Sequence, residues 1–168
     1  MKHLDEYFKR PNKEIYAVLN FKGGITGEQL DIAPDERGIY VAFACREYED
    51  AYECARILYI GKADGSDTIR KRISDHYNDR DESDSGKQSY WEENYCDKGE
   101  VVVYSFAEYD KNLDDIEAAL IFRNQPIANI KGIDNYIGKS WYVFIKCHGE
   151  KGCISDTNTI MKLVEGSK

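Results

Sequence analysis

Gly38-Ile39-Tyr40-Val41-Ala42-Phe43-Ala44-Cys45 and, a short way on, Arg56-Ile57-Leu58-Tyr59-Ile60-Gly61 are the stretches that decide the fold of this chain. Both are rich in β-branched and aromatic residues, and both are of strand length. Residues 46–53 between them are charged and read as a loop, with a short helical turn as the alternative. Two strands so close in sequence leave no room for a crossover helix, so they read as an antiparallel pair.

Working outward, residues 68–77 carry Ile69 and Ile73 on one side of a helix, with Asp67 or Thr68 as its N-cap. Residues 79–86 are acidic and serine-containing and read as a solvated loop. Residues 89–96 suggest a second short helix with Trp91 and Tyr95 turned inward, and residues 100–109 a further strand. Leu113, Ile116, Ala119, Leu120 and Arg123 follow a 3.6-residue period, which predicts a helix over 112–124 that Pro126 ends. Residues 141–147 read as another strand, and the tail beyond Gly149 shows no pattern. On the N-terminal side, residues 4–8 suggest a short helix, 14–21 an extended segment, and Lys22-Gly23-Gly24 a turn. The expected class is α/β of the α+β type: a small mixed, mainly antiparallel sheet flanked by helices. The expected division is an N-terminal extension (1–36), a core (37–131), and a C-terminal extension (132–168) packed on the same domain.

The whole is 168 residues, 42% apolar and 32% charged, the size and make-up of one soluble globular domain. No apolar run approaches the length of a membrane span. Residues 1–10 are mixed in charge and lack the apolar centre of a secretory signal, so a cytoplasmic location is expected. The five cysteines are odd in number and irregular in spacing, which argues against a disulfide framework and for a reducing compartment. Cys147, His148 and Cys153 lie close in sequence, but no second ligand pair has the spacing of a zinc site. The net charge of −8 predicts weak non-specific affinity for a polyanion unless a local basic patch, a metal ion or a partner compensates.

Chemistry enters through an ordered set. Gly38-Ile39-Tyr40 opens one strand and Tyr59-Ile60-Gly61 closes the next. A helix then carries Arg72 and His76, four apart and therefore on one face. A later helix carries Glu117, and Asn129 follows Pro126. Taken singly, each has an ordinary structural reading: a core tyrosine, a helix-end histidine, a solvated arginine or glutamate, a turn asparagine. In this order and spacing, over residues 37–131, the set resembles the GIY-YIG nuclease family. Tyr136-Ile137-Gly138 is a second YIG, but it follows Glu117 and Asn129, out of the family's order.

The resemblance implies a metal-dependent endonuclease that hydrolyses phosphodiester bonds, with DNA the commoner substrate. It implies Tyr40, Tyr59, Arg72, His76, Glu117 and Asn129 as the catalytic set, and Glu117 as ligand to one magnesium or manganese ion. A single carboxylate suits magnesium, which keeps several waters and shares substrate phosphate. Arg72 offers phosphate a planar fork of donors that never deprotonates. Tyr40, near Arg72, His76 and a metal, is expected to have a lowered pKa and to help deprotonate the attacking water. Tyr59 is expected to position water or phosphate, and Asn129 to hold the site's architecture. Lys62, Arg70 and Lys71 are candidate nucleic-acid contacts and, with Arg72, an expected patch of positive potential. With no separate DNA-binding domain in view, targeting falls to the two extensions, a homodimer, or a partner protein. The contrasting expectation, prompted by the acidic charge, is a non-catalytic nucleic-acid- or protein-binding module on the same fold.

Overall fold

The computed structural model describes residues 14–78 and 87–161; the helix expected at residues 4–8 and the loop at 79–86 lie outside them. Strands β1 (Glu14–Ile25), β2 (Gly38–Tyr48), β3 (Ala51–Ala63), β4 (Glu100–Glu108), β5 (Tyr142–Gly149) and β6 (Thr157–Met161) form one sheet in the order β3-β2-β4-β1-β5-β6. Every neighbouring pair is antiparallel except β1 and β5, which run parallel over eight residues. Helices α1 (Ile69–Tyr77), α2 (Gln88–Tyr95) and α3 (Leu113–Asn124) pack on it, with a short 3-10 segment at Gly27–Ile32. The class is therefore mixed α and β with a mostly antiparallel sheet.

β2 is the centre of the molecule. Its first eight residues are all buried because both faces of the sheet are covered here, which is why they read as an unbroken apolar run. On one face Ile39, Val41 and Phe43 join α3 and the inward residues of β1 and β5. On the other, Tyr40, Ala42 and Ala44 join α1, α2, Tyr104 and Phe106.

The structure departs from the sequence reading in four places. Residues 46–53 are the tip of the β2–β3 hairpin: the strands continue to Tyr48 and from Ala51, turning at Glu49 with φ of 54° and Asp50. This tip projects past the core, so its residues face water and are polar. Lys22-Gly23-Gly24 lies inside β1, where the pairing with β4 shifts register, and the extended segment before it is an interior strand. The tail contains β6. Finally, Cys54 and Cys153 are joined in a disulfide, tying β3 to the β5–β6 loop. Sequence spacing cannot reveal a bridge between residues 99 apart. It also takes Cys153 out of the cluster with Cys147 and His148. No helix among the described residues is long and apolar enough to cross a membrane.

β1, β5 and β6 alternate strictly, burying Ile15, Ala17, Leu19, Val143, Ile145 and Ile160 on the α3 side. Their other face is open. Tyr16, Val18, Asn20 and Lys22 on β1 lie beside Tyr142, Phe144, Lys146 and His148 on β5, with Thr157, Thr159 and Met161 on β6.

Candidate active site

The site grows from a cross-strand pair. Tyr40 on β2 lies opposite Gly61 on β3, and a Cβ on Gly61 would collide with the Tyr40 ring and hydroxyl. The glycine is there to let the tyrosine ring lie across its neighbour strand. Tyr40 is fully buried, and its hydroxyl is 2.8 Å from His76 Nε2.

α1 brings His76 and Arg72 to that hydroxyl. Its N-terminus is set by Thr68, whose side chain accepts from the Lys71 backbone N–H, and its buried stripe is Ile69, Ile73 and His76. The Arg72 guanidinium lies within electrostatic reach of the Tyr40 hydroxyl. Its Nε–H is buried with no acceptor. His76 is 1% exposed, its ring packed against both Tyr59 at 5.1 Å and Trp91 at 5.2 Å. Although it lies four residues from Arg72, His76 is therefore turned inward to Tyr40. Trp91 of α2 stacks on Tyr59 at 5.4 Å and 21°. It forms the back wall of the aromatic group, a role that inward burial in a short helix did not disclose.

Glu117 reaches the cluster from α3. Its carboxylate lies within electrostatic range of Lys62, Arg72 and Tyr40. Burial pushes its pKa up to about 7, although Lys62 and Arg72 pull the other way. Tyr40 moves opposite to the sequence expectation. Its pKa is raised well above 10, first by burial and then by Tyr59, and Arg72 only partly offsets this. Desolvation of the phenolate outweighs one nearby cation.

Asn129 sits on the outer edge of β3. Its Oδ1 accepts from the Ile60 N–H and its Nδ2 donates to the Ile60 carbonyl, each at 2.9 Å. The backbone N–H groups of Ile127 and Ala128 donate to Ile57 and Leu58 carbonyls just before it. A chain segment and an asparagine amide therefore satisfy successive outward groups of an edge strand. Asn129 supports Tyr59 and Gly61 through the backbone between them.

The basic residues are matched by acids rather than gathered into a free patch. Lys62 pairs with Asp114 and Asp64, Arg70 with Asp35 at 2.8 Å, and Lys71 with Asp67, which also lies 4.0 Å from Arg72. Arg70 Nε donates as well to the Ala33 carbonyl. The second YIG builds a different device. Tyr136 OH, the Lys139 and Ser140 N–H groups and the Ser140 hydroxyl all donate to buried Asp115, which pins that loop to α3.

A divalent cation fits the donor set at Glu117. No group of three or more His, Cys, Asp or Glu stands ready among the described residues, so such an ion would rest on one carboxylate, with water and substrate oxygens completing its shell. That is magnesium's habit, and a carboxyl lifted by desolvation is one that a cation would hold ionised. No family model, curated protein or solved structure matches this chain.

Proposed function

We infer that the chain is a metal-dependent endonuclease hydrolysing phosphodiester bonds in nucleic acid, DNA foremost, on a GIY-YIG-like core. The observation that carries this reading is the Arg72 guanidinium: within electrostatic reach of Tyr40 and Glu117, and holding a buried N–H with no acceptor. A buried donor left unpaired costs about 1–3 kcal/mol, and a phosphate oxygen would satisfy it.

In this reading Arg72 donates to a non-bridging phosphate oxygen and neutralises charge that grows at the transition state. Tyr40 hands its proton inward to His76 Nε2 as it accepts one from the attacking water. This answers the raised Tyr40 pKa, because no free phenolate is needed in the resting protein. Tyr59, held by Trp91, orients the water or phosphate. Glu117 and solvent would hold magnesium or manganese, which when bound supplies charge neutralisation and an acidified water. A cytoplasmic location, and targeting by a homodimer or partner protein, belong to the same proposal.

Conversion of supercoiled plasmid to nicked or linear forms with magnesium or manganese tests it, with Arg72→Ala as control. One observation favours the non-catalytic module: Lys62, Arg70 and Lys71 are already paired with aspartates. Metal-independent binding with no cut product from any DNA or RNA would establish that reading instead.

A further inference from the structure

We propose that Cys45 is a resident displacing thiol for the Cys54–Cys153 bridge, and that its attack turns Cys153 into a modification site for a small disulfide of the glutathione class. Cys45 on β2 lies directly opposite Cys54 on β3, and Cys54 carries the bridge to Cys153. Directly opposed residues of antiparallel strands stand about 4.5–5.5 Å apart at Cα, within the span of about 4.4–6.8 Å that a disulfide needs. The two cysteines share a face of the sheet: Cys45 belongs to the cluster with Phe43 and Val103, and Cys54 packs against it. Both also line a cleft of about 430 Å³, together with Phe43, Tyr52 and Gly152. The remaining thiols are engaged elsewhere. Cys96 packs with the cluster on the opposite face, and the Cys147 sulfur accepts from Asn158 Nδ2.

The exchange balances without a metal or cofactor. Cys45 gives its proton to solvent, and its sulfur bonds to Cys54 Sγ. The Cys54–Cys153 bond breaks, and its electron pair leaves on Cys153, which is exposed and whose thiolate water stabilises. That thiolate attacks one sulfur of the small disulfide and expels the other half as a thiolate, which takes up a proton. Overall Cys45 is oxidised and one half of the small disulfide is reduced. Burial pushes the Cys45 thiol up to about 12. Its thiolate is therefore scarce, the bridge rests at Cys54–Cys153, and capture of Cys153 draws the exchange forward.

Moving the bridge leaves the fold's other ties in place. Ile154, next to Cys153, is buried. The Ser155 N–H donates to Asn124 Oδ1, and the Gly23 N–H donates to the Glu150 carboxylate at 2.9 Å. The β5–β6 loop therefore stays docked while Cys153 becomes a thiol. A Cys45–Cys54 bridge in turn joins two strands already paired from Gly38 with Ala63 to Tyr48 with Ala51, so it asks for no new contact between elements. None of this rests on the nuclease reading.

The test is incubation of the native protein with oxidised glutathione, then acid quench and peptide mapping without reduction. A Cys45–Cys54 link and one glutathione on Cys153 should appear together. Cys45→Ala should lose the Cys153 adduct and keep the original bridge. Because Cys45 is buried, a second variant avoids the core. Cys153→Ser changes an exposed residue and leaves Cys54 as a thiol. Oxidised glutathione should then yield the Cys45–Cys54 link, as Cys45 displaces glutathione from Cys54. The double variant Cys45→Ala with Cys153→Ser should stop at glutathione on Cys54. A lasting Cys54 adduct beside a free Cys45 thiol in Cys153→Ser overturns the proposal. So does a parent that gains glutathione on Cys153 while Cys45 stays a thiol, a parent that gains none, or a new link through Cys96 or Cys147 in place of Cys45.

Discussion

Glu117 carries a carboxyl lifted from 4.5 to about 7 by burial, and the folded state therefore holds its proton more tightly than the unfolded chain does. Below pH 4.5 both states are protonated and the group contributes nothing. As pH rises toward 7 the unfolded chain ionises first and stability falls; above 7 the penalty is constant, about 3 kcal/mol. Glu117→Gln lacks this penalty. Its urea stability relative to the parent should accordingly rise between about pH 5 and about pH 8, and an unchanged difference would mean that burial does not lift the carboxyl. Magnesium should raise the parent's Tm above pH 7 and leave Glu117→Gln unmoved, because the ion binds the ionised form. Arg72 answers to a different measurement. Arg72→Ala should preserve the magnesium shift yet slow cleavage by ~10²–10³, and Arg72→Lys should recover little of it, a point charge being no substitute for the fork. Wild-type turnover by either variant would place the chemistry elsewhere. At this scale, order and spacing along the chain pointed to residues that the fold brings near one another. What was not legible was which group a side chain would face. His76 turns inward to Tyr40, Lys62 and Lys71 turn to aspartates, and Tyr40 is too deeply buried for its pKa to fall.

Among the elements, those with local causes were readable: α1 from Thr68, Ile69 and Ile73, and α3 from its 3.6-residue stripe and Pro126. The hairpin tip was not, because Glu49-Asp50 lacks the Asn-Gly or Asp-Gly signature of a tight turn and the strand ends are polar for want of a core to face. The cap of α1 gives a modest prediction: Thr68→Ala should cost about 1 kcal/mol in urea unfolding. The edge of β3 gives a larger one. Asn129 supplies both an acceptor and a donor to Ile60, and Asn129→Ala would strand two buried backbone groups, costing about 3 kcal/mol. The same variant should raise hydrogen exchange at Ile60 and its neighbours while α3 stays protected. Uniform loss of protection across the sheet would show that Asn129 supports the whole fold rather than one edge.

Across the whole molecule, the segments read as extensions form half of one sheet. β1 comes from the N-terminal segment, β5 and β6 from the C-terminal one, and the parallel pairing of β1 with β5 joins residues more than a hundred apart in the chain. No local pattern announces such a contact, and the same distance hid the pairing of Cys54 with Cys153. That bond closes a loop across 99 residues, with β4, β5, the three helices and every candidate site residue but Tyr40 lying within it. In the chain-entropy view a loop of this length restricts the unfolded state by about 4–5 kcal/mol, with measured bridges nearer 2–4. Cys153 itself is exposed, whereas Cys45 and Cys147 are buried thiols whose pKa values burial pushes to about 12 and about 11. Alkylation of the denatured, unreduced protein should therefore label three cysteines, Cys45, Cys96 and Cys147, and labelling after reduction should reach all five. Cys153→Ser should lower stability by about 2–4 kcal/mol in non-reducing buffer and by much less once the parent is reduced as well. Five labelled thiols before reduction would mean that the protein as isolated lacks the bridge. An equal penalty in both buffers would assign the effect to packing of the β5–β6 loop, where the Gly152 position lies against Phe43, rather than to the covalent bond.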